Sequence, residues 1–415
     1  MSINRFLLDV SPLRDSKPFR YAYAARTTSV LVTGMLLVAA SIQIYELTGS
    51  SIAVAFLNAF MAVPMVIALI IGGVLSDRMD RRQLMLWSRS VYVLSVVIFL
   101  VNALLPTAHV WPIYLAAAIG GAAGGISVPA MMAVTPALVG RDRLAAAAAL
   151  SGLSMQIGGI IGPALAGVLI AGPGLVFCYA IVLVGVLITP FLLHQLPSLP
   201  PQGAPKHDSK VQSFVEGVAF LRKHPLLRTL LIIDLAAMVL ATPIALLPQW
   251  SDQILGRGPE ATGMLYAAPA IGAMITALTS GWTRTVARPG LIVAIAIMLW
   301  GVAIAMLALG NTLWWALISL SIMGAADTVS KILRMALVQH HTPDGLLGRV
   351  SSLWMMQGSI GPALGNLQIG ITARFLSPPT ALLLGGTACV LMAAAFATAS
   401  THLRTAQLTM KAGKK

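Results

Sequence analysis

Apolar residues in this chain do not alternate; they come in long, nearly unbroken runs. Twelve runs are each near the ~20 residues that a lipid-spanning helix needs. They cover about residues 21–47, 51–75, 84–105, 111–138, 144–171, 174–194, 228–250, 260–282, 289–309, 312–338, 350–375 and 379–400. Polar or Pro-containing punctuation separates most of them, such as Leu105-Pro106-Thr107 and Ser377-Pro378-Pro379. Barrel strands would show alternation over ~10-residue segments instead. The pattern therefore predicts an all-α membrane protein of twelve transmembrane helices. The longest polar interval, 195–227, opens with Leu196-Pro197-Ser198-Leu199-Pro200-Pro201, a stiff linker. Later it carries Phe214, Val218 and Leu221 at helical spacing, which predicts an amphipathic helix on the inner membrane surface. The interval divides the spans six and six. The expected organisation is a six-helix half over 1–194, a cytoplasmic linker over 195–227, a second half over 228–401, and a cytoplasmic tail over 402–415.

Composition removes the other classes. Of 415 residues, 58% are hydrophobic and 10% charged. A soluble domain is roughly 45–50% apolar and about 25% charged. Cys178 and Cys389 each sit inside an apolar run and read as small buried residues. No Cys/His spacing of metal type is present, and neither a metal nor a cofactor is expected. The polar first twenty residues, with Arg5, Arg14, Lys17 and Arg20, precede no short apolar stretch with a cleavage site. No cleaved signal peptide is expected.

The formal charge of +14 would raise nucleic-acid binding in a soluble protein. Its placement argues otherwise. With both termini cytoplasmic, all of the 27 Lys and Arg except Arg257 and Arg374 fall on the inner side. The charge orients the chain and faces anionic membrane lipid; no nucleic-acid partner is expected.

An internal repeat accompanies the six-plus-six division. Thr135-Pro136, Gly140-Arg141 and Gly162-Pro163-Ala164-Leu165 recur in order as Thr342-Pro343, Gly348-Arg349 and Gly361-Pro362-Ala363-Leu364. Two matched halves around a central site are what secondary transporters use.

Two motifs carry a family resemblance. The loop between spans 2 and 3 reads Gly73-Val74-Leu75-Ser76-Asp77-Arg78-Met79-Asp80-Arg81-Arg82. Span 5 contains Gly158-Gly159-Ile160-Ile161-Gly162-Pro163-Ala164-Leu165-Ala166-Gly167. The first resembles the signature loop G-x-L-x-D-R-x-x-R-R/K of the major facilitator superfamily, with Asp80 where glycine is frequent. The second resembles that family's antiporter motif, with Ala166 in place of a glycine. Span 4 departs from the family: Ala116, Ala117 and Ala118 occupy the place of its arginine. Further segments, including Leu278-Thr279-Ser280-Gly281 and Ala287-Arg288-Pro289-Gly290, are similar to bacterial inner-membrane exporters of catecholate siderophores such as enterobactin.

The resemblance implies a transporter rather than an enzyme. It implies export from cytoplasm to periplasm by proton antiport and alternating access, with hand-off to a separate outer-membrane route. Amphipathic drug efflux is the nearest alternative. It also implies a conformational latch built from Gly73, Asp77, Arg78, Arg81 and Arg82. Gly158, Gly162, Pro163 and Gly167 would let helix backbones meet.

Charges inside spans are expensive and mark function by default. Asp327, Lys331 and Arg334 share one face of span 10 at i, i+4 and i+7. Asp234 lies in the inner half of span 7, and Arg26 about two turns into span 1. Lys331 and Arg26 are candidates to attract catechol hydroxyls; Asp234 or Asp327 is the candidate proton carrier. A self-neutralising Asp327–Lys331 pair is the competing reading, and Arg334 and Arg26 are expected to snorkel toward the interface. An integral-membrane enzyme would need a convergent acid, base or metal constellation. The chain shows none at useful spacing.

Overall fold

The computed structural model describes residues 9–200 and 210–407, and these are helical apart from short connections, with no strand among them. The long helices are α1 (Lys17–Thr48), α2 (Ser51–Ser76), α3 (Arg81–Leu104), α4 (Val110–Val139), α5 (Leu144–Ala171) and α6 (Leu175–His194). Then follow α7 (Pro225–Leu240), α8 (Pro259–Thr279), α9 (Pro289–Leu309), α10 (Leu313–His341), α11 (Asp344–Phe375) and α12 (Pro378–Ala399). Short helices Ser11–Asp15, Lys210–Lys223 and Thr401–Thr405 lie outside this series. Linker positions 201–209 and the tail from residue 408 fall outside the described residues.

Eleven helices among the described residues are long and apolar enough to cross a membrane. The chain is thus a multi-pass membrane protein. α11 is not among the eleven, although it runs for 32 residues. Its sequence carries Arg349, Gln357, Asn366, Gln368 and Arg374, which dilute its apolar character.

The ends follow local chemistry. Ser16 caps α1 by accepting from Phe19 N at 3.2 Å. Gly49 closes it with φ of 62°, a left-handed turn that only glycine adopts without strain. Ser377 caps α12 and Thr312 caps α10 in the same way as Ser16.

One expected span is not continuous. The run 228–250 was expected as one helix; α7 instead stops at Leu240. The chain resumes as short turns Ile244–Leu246 and Leu247–Gln249 and a π-helical turn Trp250–Ile254. Pro243 and Pro248 remove backbone donors here, and Pro243 disfavours helix at Thr242. The freed groups find side chains. Trp300 Nε1 of α9 donates to Ala241 O at 2.8 Å, and Ala245 N donates to Asn366 Oδ1 of α11 at 2.9 Å.

The chain forms two compact units. The first comprises Met1–Ser50, Phe56–Lys206 and Arg257–Ala267. In it α1 packs on α5 and α6, and α3 on α4 and α6. Ala22, Ala25, Leu84, Met85, Ala130, Val134, Leu193 and Leu196 form a buried apolar cluster within it. The second comprises Ser51–Ala55, His207–Gly256 and Ala268–Lys415. There α9 packs on α10 and α12, while α11 packs on α7 and on helix Lys210–Lys223.

Small residues set the closest approaches. A Cβ on Gly162 would stand 2.5 Å from Leu31 O, and one on Gly158 would stand 2.7 Å from Val30 Cγ1. Gly34 faces Pro163 Cδ across the same seam of α1 and α5. Gly72 brings α2 to 2.6 Å from Ile126 Cα of α4 by the same measure. Such small-residue contacts are how helices associate where lipid supplies no hydrophobic drive.

Gly162→Val should lower the thermal stability of the purified protein by the ~1–3 kcal/mol typical of overpacking. Gly152→Ala, whose added methyl meets open space inside α5, should hold or raise melting. Equal melting of the two variants would contradict the seam.

Candidate functional site

The charged residues that share one face of α10 do not form one group. Asp327 and Lys331 pair along the helix at 2.5 Å, with side chains 20% and 56% exposed. The self-neutralising pair is therefore what the structure contains. Asp327 Oδ2 takes this contact, while Oδ1 is buried with no hydrogen bond.

Arg334, one turn further on, does not snorkel. It is 4% exposed and makes a buried ion pair with Asp234 of α7, itself 1% exposed. Gln357 of α11 donates Nε2 to the other carboxylate oxygen of Asp234 at 2.7 Å and to Leu231 O at 3.2 Å. Ser330 Oγ accepts from Arg334 at 3.4 Å. Three helices are thus tied by one charged knot. Burial explains the difference from the expectation: Arg334 faces a carboxylate across the helix interface, so it has no reason to reach for water. Neither Gln357 nor the partnership of Asp234 with Arg334 was anticipated, because nothing in the local pattern joins residues 100 or more positions apart.

Arg26 of α1 stays half-buried, with Nη2 3.6 Å from Met155 Sδ of α5. Beside it, Thr27 Oγ1 and Ser154 Oγ share a hydrogen bond at 2.9 Å. Pro163 lies on the α1–α5 seam, whereas Gly167 faces α8: a Cβ on it would stand 2.7 Å from Pro259 O. Gly158, Gly162, Pro163 and Gly167 thus all lie where neighbouring helices approach closely.

The expected latch loop spans the end of α2 and the start of α3. Gly73 O accepts from Ser76 Oγ, Asp77 ends α2, and Arg78 is exposed. Asp80, the departure from the family pattern, does the most local work. Its Oδ1 caps α3 by accepting from Arg82 N at 2.8 Å and Gln83 N at 3.4 Å. Its Oδ2 accepts from Ser198 Oγ and from Leu199 N. Arg81 N donates to Leu199 O at 3.1 Å, and Arg82 Nη2 donates to His194 O at 2.7 Å. The loop is laced to the strand of chain that leaves α6. Burial acts to raise the Asp80 carboxyl, but hydrogen bonds from Ser198, Arg82, Gln83 and Leu199 outweigh it and hold the group below its ordinary value.

Among the described residues, no group of three or more His, Cys, Asp or Glu could hold a metal ion. Both cysteines are free and buried.

The sequence profile described as Major Facilitator Superfamily matches residues 22–366. The chain belongs to the major facilitator superfamily. As a member of that superfamily it is a membrane transporter and not an enzyme. Among curated proteins, it is 33% identical to the enterobactin exporter EntS of Shigella flexneri over 378 residues, covering 91% of this chain and 90% of that protein. It is 32% identical to the protein of the same name from Escherichia coli O81 (strain ED1a) over the same shares. Among solved structures, the nucleoside transporter NupG superposes with a TM-score of 0.75 at 14% identity, covering 92% of this chain and 98% of that one. A POT family transporter in complex with 5-aminolevulinic acid gives 0.75 at 11% identity, covering 94% and 97%. At such identities the superfamily structures speak for the fold alone.

Two predictions follow from the charges. Asp234→Asn strands Arg334 in the interior and should cost about 3–5 kcal/mol. Asp234→Asn combined with Arg334→Gln should recover most of the melting temperature; equal melting of single and double variants would contradict the pairing. Asp80→Ala should cost ~1 kcal/mol near neutral pH. A depressed carboxyl stabilises fully above the unfolded value of about 4, and the contribution fades as pH falls through the folded value. The melting gap between wild type and Asp80→Ala should therefore narrow in acid; a gap independent of pH would count against the charge.

Proposed function

We propose that this transporter exports a catecholate siderophore such as enterobactin from the cytoplasm to the periplasm by proton antiport. What carries the cargo assignment is the likeness to the enterobactin exporters, which extends over 91% of this chain. The proposed setting is the bacterial inner membrane, with twelve spans, α11 included, and both termini cytoplasmic. The placement of the 27 Lys and Arg supports that orientation. Alternating access, the loop around Asp77 and Arg78 as a conformational latch, and onward passage through a separate outer-membrane route belong to the same proposal.

The proton carrier in this reading is Asp327. Protonating Asp234 would abandon Arg334 in a dry interior, and that is expensive. Asp327 has a partner, Lys331, whose side chain is 56% exposed, so this pair is not sealed inside the protein. An ionised Asp327 accepts hydrogen bonds from catechol hydroxyls, while the Lys331 ammonium faces the catechol oxygens. Protonation of Asp327 removes its charge, weakens it as an acceptor and so favours release of the cargo. Proton and cargo then compete for one carboxylate, and this competition is what antiport requires. Arg26 is a further candidate cation for the acidic cargo.

The test is catecholate efflux from cells and proteoliposomes under an imposed pH gradient. Loss of the gene should trap catecholate inside cells and leave drug tolerance unchanged; the reverse result would favour drug efflux. Asp327→Asn should abolish acceleration by the gradient. Lys331→Gln should weaken cargo binding roughly ten-fold, ~1.4 kcal/mol. Wild-type coupling in Asp327→Asn would remove Asp327 from the mechanism.

A further inference from the structure

Helix Lys210–Lys223 has two faces with different fates. One is held by protein. Glu216 pairs with Arg349 of α11, and Leu221 is buried. A Cβ on Gly217 would lie 3.3 Å from Arg349 O and from the side chain of Leu353. Leu221, expected on the lipid side, thus turns inward. Among the described residues, nothing packs over the other face. Val215 is 55% exposed, and Ala219, Arg222 and Lys223 are exposed beside it. With Val218 they line a shallow groove of about 310 Å³, apolar along its floor and cationic at one end.

The helix also cannot stray far from the bilayer. A single residue, His224, separates Lys223 from Pro225, where the membrane-crossing stretch Pro225–Ile254 begins. The last turn, with both cations, is therefore held at headgroup depth. A short apolar stripe with Arg and Lys at its rim fits acyl-chain ends below and phosphate above.

We propose that the Val215–Lys223 face is a docking surface for anionic phospholipid in the leaflet that α7 enters. Its occupant is the lipid headgroup together with the upper part of its chains. Arg222 and Lys223 supply the charge complement, adding to a chain that carries +14 overall. The opposite face transmits seating to α11 through Glu216–Arg349 and Gly217. The inference does not depend on the cargo or on proton coupling.

The experiment uses the full-length protein with Ala219→Cys labelled by an environment-sensitive fluorophore, Cys178 and Cys389 being buried. It is reconstituted in phosphatidylcholine vesicles with or without phosphatidylglycerol. Emission should shift to the blue when phosphatidylglycerol is added, and the shift should shrink in high salt. Arg222→Gln and Lys223→Gln should each lower the seated-to-free ratio about five-fold, ~1 kcal/mol per cation. Both side chains are exposed, so these variants should melt like wild type. Inorganic phosphate added to pure phosphatidylcholine vesicles should change nothing. Emission indifferent to phosphatidylglycerol, a shift that survives loss of both cations, or a shift produced by phosphate alone would each overturn the proposal. Concentration-dependent self-quenching with no lipid response would assign the face to a second copy instead.

Discussion

A peptide group in hydrocarbon has no water to bond, so every N–H and C=O must find its partner within the protein. That demand shapes this molecule more than any single contact. It explains why the described residues are helical and why α1, α3, α10 and α12 begin on side-chain caps. It also explains the one place where the rule is bent. Where Pro243 breaks α7, the released Ala241 carbonyl and Ala245 amide are taken up by Trp300 and Asn366, from two other helices. An irregular segment inside a membrane domain survives only when neighbours complete it in this way, and such breaks are common in transporter cores.

The same low-dielectric setting separates the charges of α10 into two kinds. Asp234, Arg334 and Gln357 satisfy one another across three helices and stay sealed. Asp327 and Lys331 satisfy one another along one helix and remain partly open. Two ion pairs, each with at least one member on α10, thus differ in what they can do. A sealed pair resists a change of charge because either partner alone is costly. An open pair can exchange one partner for a ligand or a proton. The contrast comes from burial and not from residue type, since each pair is one carboxylate and one cation.

Much of the architecture could be read from the amino acids because a lipid span is encoded locally, in about twenty consecutive apolar residues. The edges of α5 and α9 match the apolar runs at both ends for that reason. The break in α7 was not legible: Pro64, Pro163 and Pro362 sit inside continuous helices, so a proline alone does not say where a span parts. The family motifs located the loop after α2 and the seam in α5, but not what their residues touch. Asp80 read as a mere departure from a pattern, and only its bonds to Ser198 and Leu199 show that it fastens the exit of α6. Arg334 looked like a snorkelling cation because its carboxylate lies 100 positions away in the chain.

The contact of α1 with α5 has one more implication. At Gly34 and Gly162 main chain lies against main chain or a proline ring, and at Gly158 against the stiff β-branched side chain of Val30, so there are few rotamers to absorb a shift. The two helices are splinted into a single rod. Deformation in this part of the molecule has to be accommodated at the rod's ends, where longer side chains give it room.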